Sequence, residues 1–307
     1  MKTSDEAAKL TKEAKRAKIA VFAYSEPGYA CLEELLETGA NVSVVFTHED
    51  DPNEEIWFRS VADLALARGV PLRTDSRIGP DAVNFLRGKG VELILSVYYR
   101  ALIPGEVLAI PRLGAYNIHG ALLPRYRGRA CVNWAVLNGE TQTGATLHVM
   151  TASADRGDIV DQEPVPIAYE DTALDVFKKV SGASRLVLSR SLPSIEAGNP
   201  RKTPQDESRA TKFGRRRPED GRIDWNKTAE QVYNQVRALT HPFPGAFTDA
   251  DGKKLFIWRA RVSGGRSGQT PGGIVSRRPF LIAAADGDVE LLSWRFEGEE
   301  ERGVTAE

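Results

Sequence analysis

Four short apolar runs, separated by stretches with helical spacing, constrain this chain more than any other feature. They are "KIAVFAY" (18–24), "NVSVVF" (41–46), "VELILSV" (91–97) and "GAYNIH" (114–119). Continuous apolar runs of this length suit strands buried on both faces. Between the first two lies "GYACLEELLETG" (28–39), with Cys31, Leu32, Leu35 and Leu36 on one side and Gly39 as a stop. "IWFRSVADLALARG" (56–69) is also expected to be helical. Strands alternating with helices of about a dozen residues predict an α/β fold with a parallel, doubly wound, Rossmann-like sheet. "ATLHVM" (145–150) adds a strand, and 172–198 predicts a long closing helix capped by Asp171 or Thr172.

The pattern changes after Gly198. Residues 199–221 are polar, hold three prolines and show no apolar period, so they are expected to be a linker. Beyond it, "TAEQVYNQVRALT" (228–240) is a helix, and the rest alternates and turns at Asp-Gly and Gly-Gly. That predicts a small β-rich C-terminal domain of barrel type. The expected division is a charged N-terminal extension (1–17), a Rossmann-like catalytic domain (18–198), the linker (199–221) and the β-rich domain (222–307). The 307 residues allow two cores.

The turns and loops of the chain exclude several chemistries. The turn after the first strand, "YSEPGYA", has one glycine, Gly28, and no GxGxxG to wrap a pyrophosphate. No P-loop and no GxSxG elbow exists. No HExxH or Cys/His cluster offers a metal site, so no metal is expected. Cys31 and Cys131 stand 100 positions apart, which argues against a disulfide and for a reducing, cytoplasmic setting. No apolar run is long enough to span a membrane, and the N-terminus lacks a secretory apolar region. Net charge is −1, which argues against a nucleic-acid-coating protein.

Only four histidines exist: His48, His119, His148 and His241. His119 sits in "AYNIHGALLPRYRGR" (115–129), a strand that breaks at Gly120 into a loop with Arg125, Arg127 and Arg129. A histidine among apolar residues is more often structural than catalytic. Asn117 shares its strand parity, however, so the amide and the imidazole point the same way. About 36 residues on, "SADRGDIV" carries Asp155, in a loop that a parallel sheet would bring alongside. A carboxylate beside a histidine favours the imidazolium. An amide with an imidazole suits a developing oxyanion. No serine or cysteine nucleophile is expected beside the histidine, so acyl-group transfer without a covalent intermediate is expected.

These motifs resemble the folate-dependent formyltransferases. The family pattern is Asn-x-His, a Ser-Leu-Leu-Pro-x-x-Arg-Gly type loop and a distant Asp-x-Gly. This chain has "NIHGALLPRYRG" and "ADRGDIV", with Ala121 where the loop usually has serine. "FGRRRPEDGRIDW" and "HPFPGAF" extend the similarity through the second domain, over roughly residues 18–305. The resemblance implies Asn117, His119 and Asp155 as a catalytic trio, an OB-like C-terminal domain and 10-formyltetrahydrofolate as formyl donor. It also implies folate contacts from Ala101, Leu102 and Ile103 and from Thr151, Ala152, Ser153, Ala154 and Asp155. "VFAYSEPGYACLEELL", "VYYRALI" and "LPRYRGRACVNWAVLNGETQTGATLH" are most similar to the formyltransferase domain of the bacterial UDP-4-amino-4-deoxy-L-arabinose enzyme of lipid A modification. A sugar-nucleotide acceptor is therefore expected, with Arg125, Arg127 and Arg129 facing its phosphates. The rival families transfer formyl to methionyl-tRNA or hydrolyse 10-formyltetrahydrofolate; a silent binding module is the non-enzymatic alternative. "HEDDPNEE" (48–55), with five acids and no Lys or Arg, would repel tRNA. "GRRRPED" (214–220) is either a solvated linker or a lid over the site.

Overall fold

The computed structural model describes residues 16–52, 55–75, 78–250 and 252–303. The charged segment expected at 1–17 thus lies almost wholly outside the described residues. The first domain runs β1 (Ile19–Ala23), α1 (Ser25–Glu37), β2 (Val42–Phe46), α2 (Val61–Ala67), β3 (Leu72–Arg73), α3 (Pro80–Lys89), β4 (Leu93–Val97), α4 (Gly105–Leu108), β5 (Ala115–His119), β6 (Arg127–Gly128), α5 (Cys131–Leu137), β7 (Gln142–Val149), β8 (Ile159–Pro166) and α6 (Ala173–Glu196). Seven strands form one sheet in the order β3-β2-β1-β4-β5-β7-β8. The first five are parallel.

Alternate residues of each strand feed two cores. Ile19, Val21 and Ala23 pack under α1, α2 and α6, whereas Ala20 and Phe22 pack under α3 and α4. Covering both faces is what makes the strand sequences continuously apolar. The long helix α6 starts at Thr172, whose side chain accepts from Asp175 N while Asp175 reciprocates on the Thr172 backbone. That capping box fixes the helix start.

Two expectations are corrected here. Helix α2 begins at Val61, not Ile56, because the Ser60 side chain caps it by accepting from Asp63 N. Trp57 and Phe58 stand outside the helix, and Trp57 meets Phe177 and Phe243 edge-on. The sheet is also not parallel throughout: β7 runs antiparallel to β5, and β8 antiparallel to β7. Asp155 therefore lies in a hairpin loop rather than in a parallel crossover.

After α6 the chain does not leave the first domain as a free tether. β9 (Lys212–Phe213) pairs in parallel with β6, and Ile159 and Thr203 exchange backbone hydrogen bonds. The second domain has helix α7 (Ala229–Leu239) and strands β10 (Ala246–Ala250), β11 (Lys253–Ser263), β12 (Ile274–Arg277), β13 (Phe280–Ala283), β14 (Asp288–Phe296) and β15 (Arg302–Gly303). Its sheet runs β10-β11-β14-β13-β12, with β15 on β14, and is antiparallel. Val232, Val236 and Leu239 of α7 pack against Leu255, Ile257 and Leu291 in its separate core. Among the described residues no helix is long and apolar enough to cross a membrane.

Candidate active site

Strand β5 sorts its side chains by parity. Tyr116 and Ile118 enter the core under α1 and α6. Asn117 and His119 take the opposite face, as the alternation requires. Asn117 pairs with His148 and His119 with Thr146 across the β5–β7 ladder. The hairpin loop after β7 returns Asp155 to this face. There Asp155 Oδ1 lies 3.7 Å from His119 Nδ1 and 3.7 Å from His148 Nε2. Asp155 Oδ2 accepts from the Gly128 backbone at 2.8 Å. The loop's close return requires Gly157: a Cβ there would stand 1.8 Å from the Val149 carbonyl oxygen. Asp155 itself has φ +58, a conformation that favours glycine and asparagine. The expected trio of Asn117, His119 and Asp155 thus converges in space.

Hydrogen bonds fix the roles of both rings. A carbonyl oxygen can only accept, so His119 Nε2 donates to Tyr126 O at 2.7 Å and Nδ1 is left facing Asp155. By the same reasoning His148 Nδ1 donates to Val149 O at 2.9 Å. His148 Nε2 then accepts from Asn117 Nδ2 at 3.1 Å. One amide hydrogen of Asn117 is spent and the other remains. Burial dominates at His148 and drives its pKa down to about 4, against smaller opposing effects of Val149 and Asp155, so the ring is neutral. At His119 burial also works against the charge. Cys131, the Asp155 carboxylate and the Tyr126 carbonyl outweigh it and hold the pKa up, at about 10.

His148 and Cys131 were not among the residues singled out by sequence. His148 shows as an alternation partner only once β7 is known to lie antiparallel to β5. Cys131 corrects the expectation that no cysteine lies beside the histidine. It opens α5, twelve residues after His119, and is buried with its Sγ 3.3 Å from where a Cβ on Gly120, the residue after His119, would stand. Gln205 is a third addition. Its side-chain amide donates to the carbonyls of Asp155 and Gly157, while its oxygen accepts from Arg127.

The three loop arginines do not form one phosphate-facing group. Arg127 is buried and clamped by Gln205 and Glu207, a structural use of its charge. Arg125 is paired with Glu140. Arg129 is exposed and donates to the Arg100 carbonyl at 3.4 Å. That contact, with Gly128 on Asp155, draws the segment after β4 toward the hairpin loop. In that segment Leu102 is 79% exposed and Ile103 buried, and Thr151 to Ala154 are exposed. Residues 214–220 lie on the catalytic domain through Trp134, whose indole donates to Gly214 O and carries Arg216 over its ring. Among the described residues no group of His, Cys, Asp and Glu is arranged to hold a metal ion.

A doubly wound sheet with an amide, an imidazole and a carboxylate on one face, joined to a small antiparallel domain, defines a two-domain group-transfer enzyme. Residues 2–192 match the formyl transferase family, and residues 216–305 match the formyl transferase C-terminal domain. The chain belongs to the formyl transferase family and is a formyltransferase. Several solved structures share the fold. An N-formyltransferase from Helicobacter canadensis, in complex with folinic acid and dTDP-3-aminofucose, is 19% identical with a TM-score of 0.69, covering 90% of this chain and 98% of its own. WlaRD, a sugar 3N-formyl transferase, is 20% identical with a TM-score of 0.70, covering 92% and 99%. HypX from Aquifex aeolicus is 21% identical with a TM-score of 0.64 and covers 94% of this chain, but this chain spans only 46% of HypX.

Proposed function

We propose that this enzyme transfers a formyl group from 10-formyltetrahydrofolate to the amine of a sugar nucleotide, and that the acceptor is UDP-4-amino-4-deoxy-L-arabinose, a step of lipid A modification in the cytoplasm. The observation that carries the reaction is the pairing of a fixed amide with a charged ring. Asn117 keeps one N–H free because His148 takes the other, and His119 presents Nδ1 beside it. The neutral amine attacks the formyl carbon, forming the C–N bond, and the carbonyl electrons move to oxygen. Asn117 N–H and His119 Nδ1–H hold that oxyanion. As the bond to the folate nitrogen breaks, His119 delivers its proton there, and the proton of the attacking amine restores the imidazolium, with Asp155 balancing its charge. The segments 101–103 and 151–155 are the proposed folate contacts. Exposed Leu102 and buried Ile103 offer an apolar edge that a flat ring can cover.

The sugar-nucleotide class is supported by the relatives that bind dTDP-linked amino sugars and dTDP. The segments similar to the arabinose enzyme support the particular acceptor. Arg129 is the loop arginine left for a diphosphate. Methionyl-tRNA is disfavoured by the acids at 48–55, of which Asp50 accepts from the Tyr24 hydroxyl. The test is formyl transfer from 10-formyltetrahydrofolate at matched low salt to a UDP-linked 4-amino sugar, a dTDP-linked 3-amino sugar and methionyl-tRNA. Turnover with the first is expected. Turnover with only the second would change the acceptor, and efficient turnover with only the third would overturn the sugar class.

A further inference from the structure

His119 is held by a carbonyl, and that carbonyl is itself held. The ring donates from Nε2 to Tyr126 O at 2.7 Å. Tyr126 stands at φ +58, a left-handed conformation that a tyrosine keeps only where its surroundings enforce it. One residue meets all three peptide units around it. Thr211, immediately before β9, donates its backbone N–H to Pro124 O at 3.3 Å. Its hydroxyl oxygen accepts from Tyr126 N at 2.8 Å, and its carbonyl accepts from Arg127 N at 3.0 Å. The Arg127 N–H and the Tyr126 C=O belong to one trans peptide unit and point in opposite directions. With the amide turned to Thr211, the carbonyl is aimed the other way, at the imidazole. The start of the loop is fixed separately. Buried Thr146 donates to Ala121 O and accepts from Leu123 N, and Gln162 Nε2 donates to Thr146 Oγ1 and Leu123 O. The Tyr126 side chain is anchored by Glu140 and the Phe213 ring, which fix the ring but not the direction of the carbonyl. A peptide plane can turn while its side chain stays in place.

We propose that Thr211 is a positioning residue for the reaction: it clasps the backbone at 124–127 so that the Tyr126 carbonyl holds the His119 ring with Nδ1 toward the reacting groups. The inference rests on the reading of His119 as the proton carrier of formyl transfer. Thr211 acts through Tyr126, not on the reacting atoms. Without the hydroxyl, Tyr126 N–H loses its acceptor and the left-handed turn loses its support. The peptide then relaxes, and the carbonyl swings away from Nε2. The imidazole is free to turn about its Cβ–Cγ bond, and Nδ1 no longer stays beside Asp155. A small displacement of this kind lowers the rate of the chemical step, while substrate contacts made elsewhere are kept.

The experiment compares the wild-type chain with Thr211→Val, which keeps the shape and removes the hydroxyl, and Thr211→Ser, which keeps the hydroxyl. Thr211→Ala removes the same oxygen without adding a methyl and should act as the valine does. One readout is kcat and KM for formyl transfer to the amino-sugar nucleotide that the wild type turns over. The other is the His119 Nε2–H signal by NMR in protein with isotope-labelled histidine, assigned by its loss in His119→Gln. Valine is expected to lower kcat about tenfold or more with KM within about twofold. It should also speed hydrogen exchange at Nε2–H by about fivefold or more. Serine is expected to restore both. Nε2–H exchange equal to wild type in the valine and alanine variants would overturn the inference, as would a serine variant that fails as valine does. Faster exchange with an unchanged kcat would leave Thr211 as the residue that holds the ring and remove His119 from the reaction, so the two readings fail separately.

Discussion

In the proposed reaction Asn117 acts through a hydrogen whose direction is set by a neighbour. With His148 Nε2 accepting one amide hydrogen, the side chain cannot rotate without losing that bond. Asn117→Ala is expected to lower turnover by about 10²–10³-fold with little change in stability, the size of one lost oxyanion donor. A variant within threefold of wild type, measured by folate release, would place the oxyanion elsewhere. Asp155→Asn is expected to lower the His119 pKa by removing the carboxylate field at 3.7 Å, read by NMR titration. His148 also shapes stability. Its folded pKa of about 4 lies below the ordinary value of about 6.5, so its contribution is complete above 6.5 and is lost as pH falls through 4. Urea midpoints should therefore drop between pH 7 and 4, and less steeply in His148→Gln.

At the level of elements, the hairpin between β7 and β8 determines whether a site exists. Gly157→Ala would drive a methyl into the Val149 carbonyl, and the loop holding Asp155 could not close as it does. Activity is expected to fall at least tenfold while the helical circular dichroism, which comes from other elements, is retained. The strands were legible because both their faces are buried, which writes an unbroken apolar run into the sequence. The Asn117–His119 pair was legible because parity on a strand is a local property. The antiparallel course of β7 was not, since an apolar strand carries no mark of its direction, and His148 stayed hidden with it. Cys131 was hidden for another reason: a loop of eleven residues separates it from His119, and no period relates the two. The helix expected from Ile56 shows local capping overriding an apolar pattern, because Ser60 stops it short.

Across the whole molecule, the segment between the two domains is a working part of the first. Gln205 donates to the carbonyls of Asp155 and Gly157 and accepts from buried Arg127, whose charge Glu207 balances. Gln205→Ala is expected to speed hydrogen exchange across 154–158 and to lower kcat several-fold, leaving the exchange of β11 and β14 unchanged. Exchange at 154–158 equal to wild type would show that the segment merely passes by.

The pairing of β9 with β6 bears on how such enzymes can be recombined. A chimera that exchanges the second half at Gly198 would discard the strand beside Arg127–Gly128 and the glutamine that closes the hairpin loop. A crossover placed after Phe213 keeps both with their own sheet. On the proposed reading the segments that build the site end there, and a graft that respects that boundary carries the whole proposed site to whatever acceptor surface it is joined.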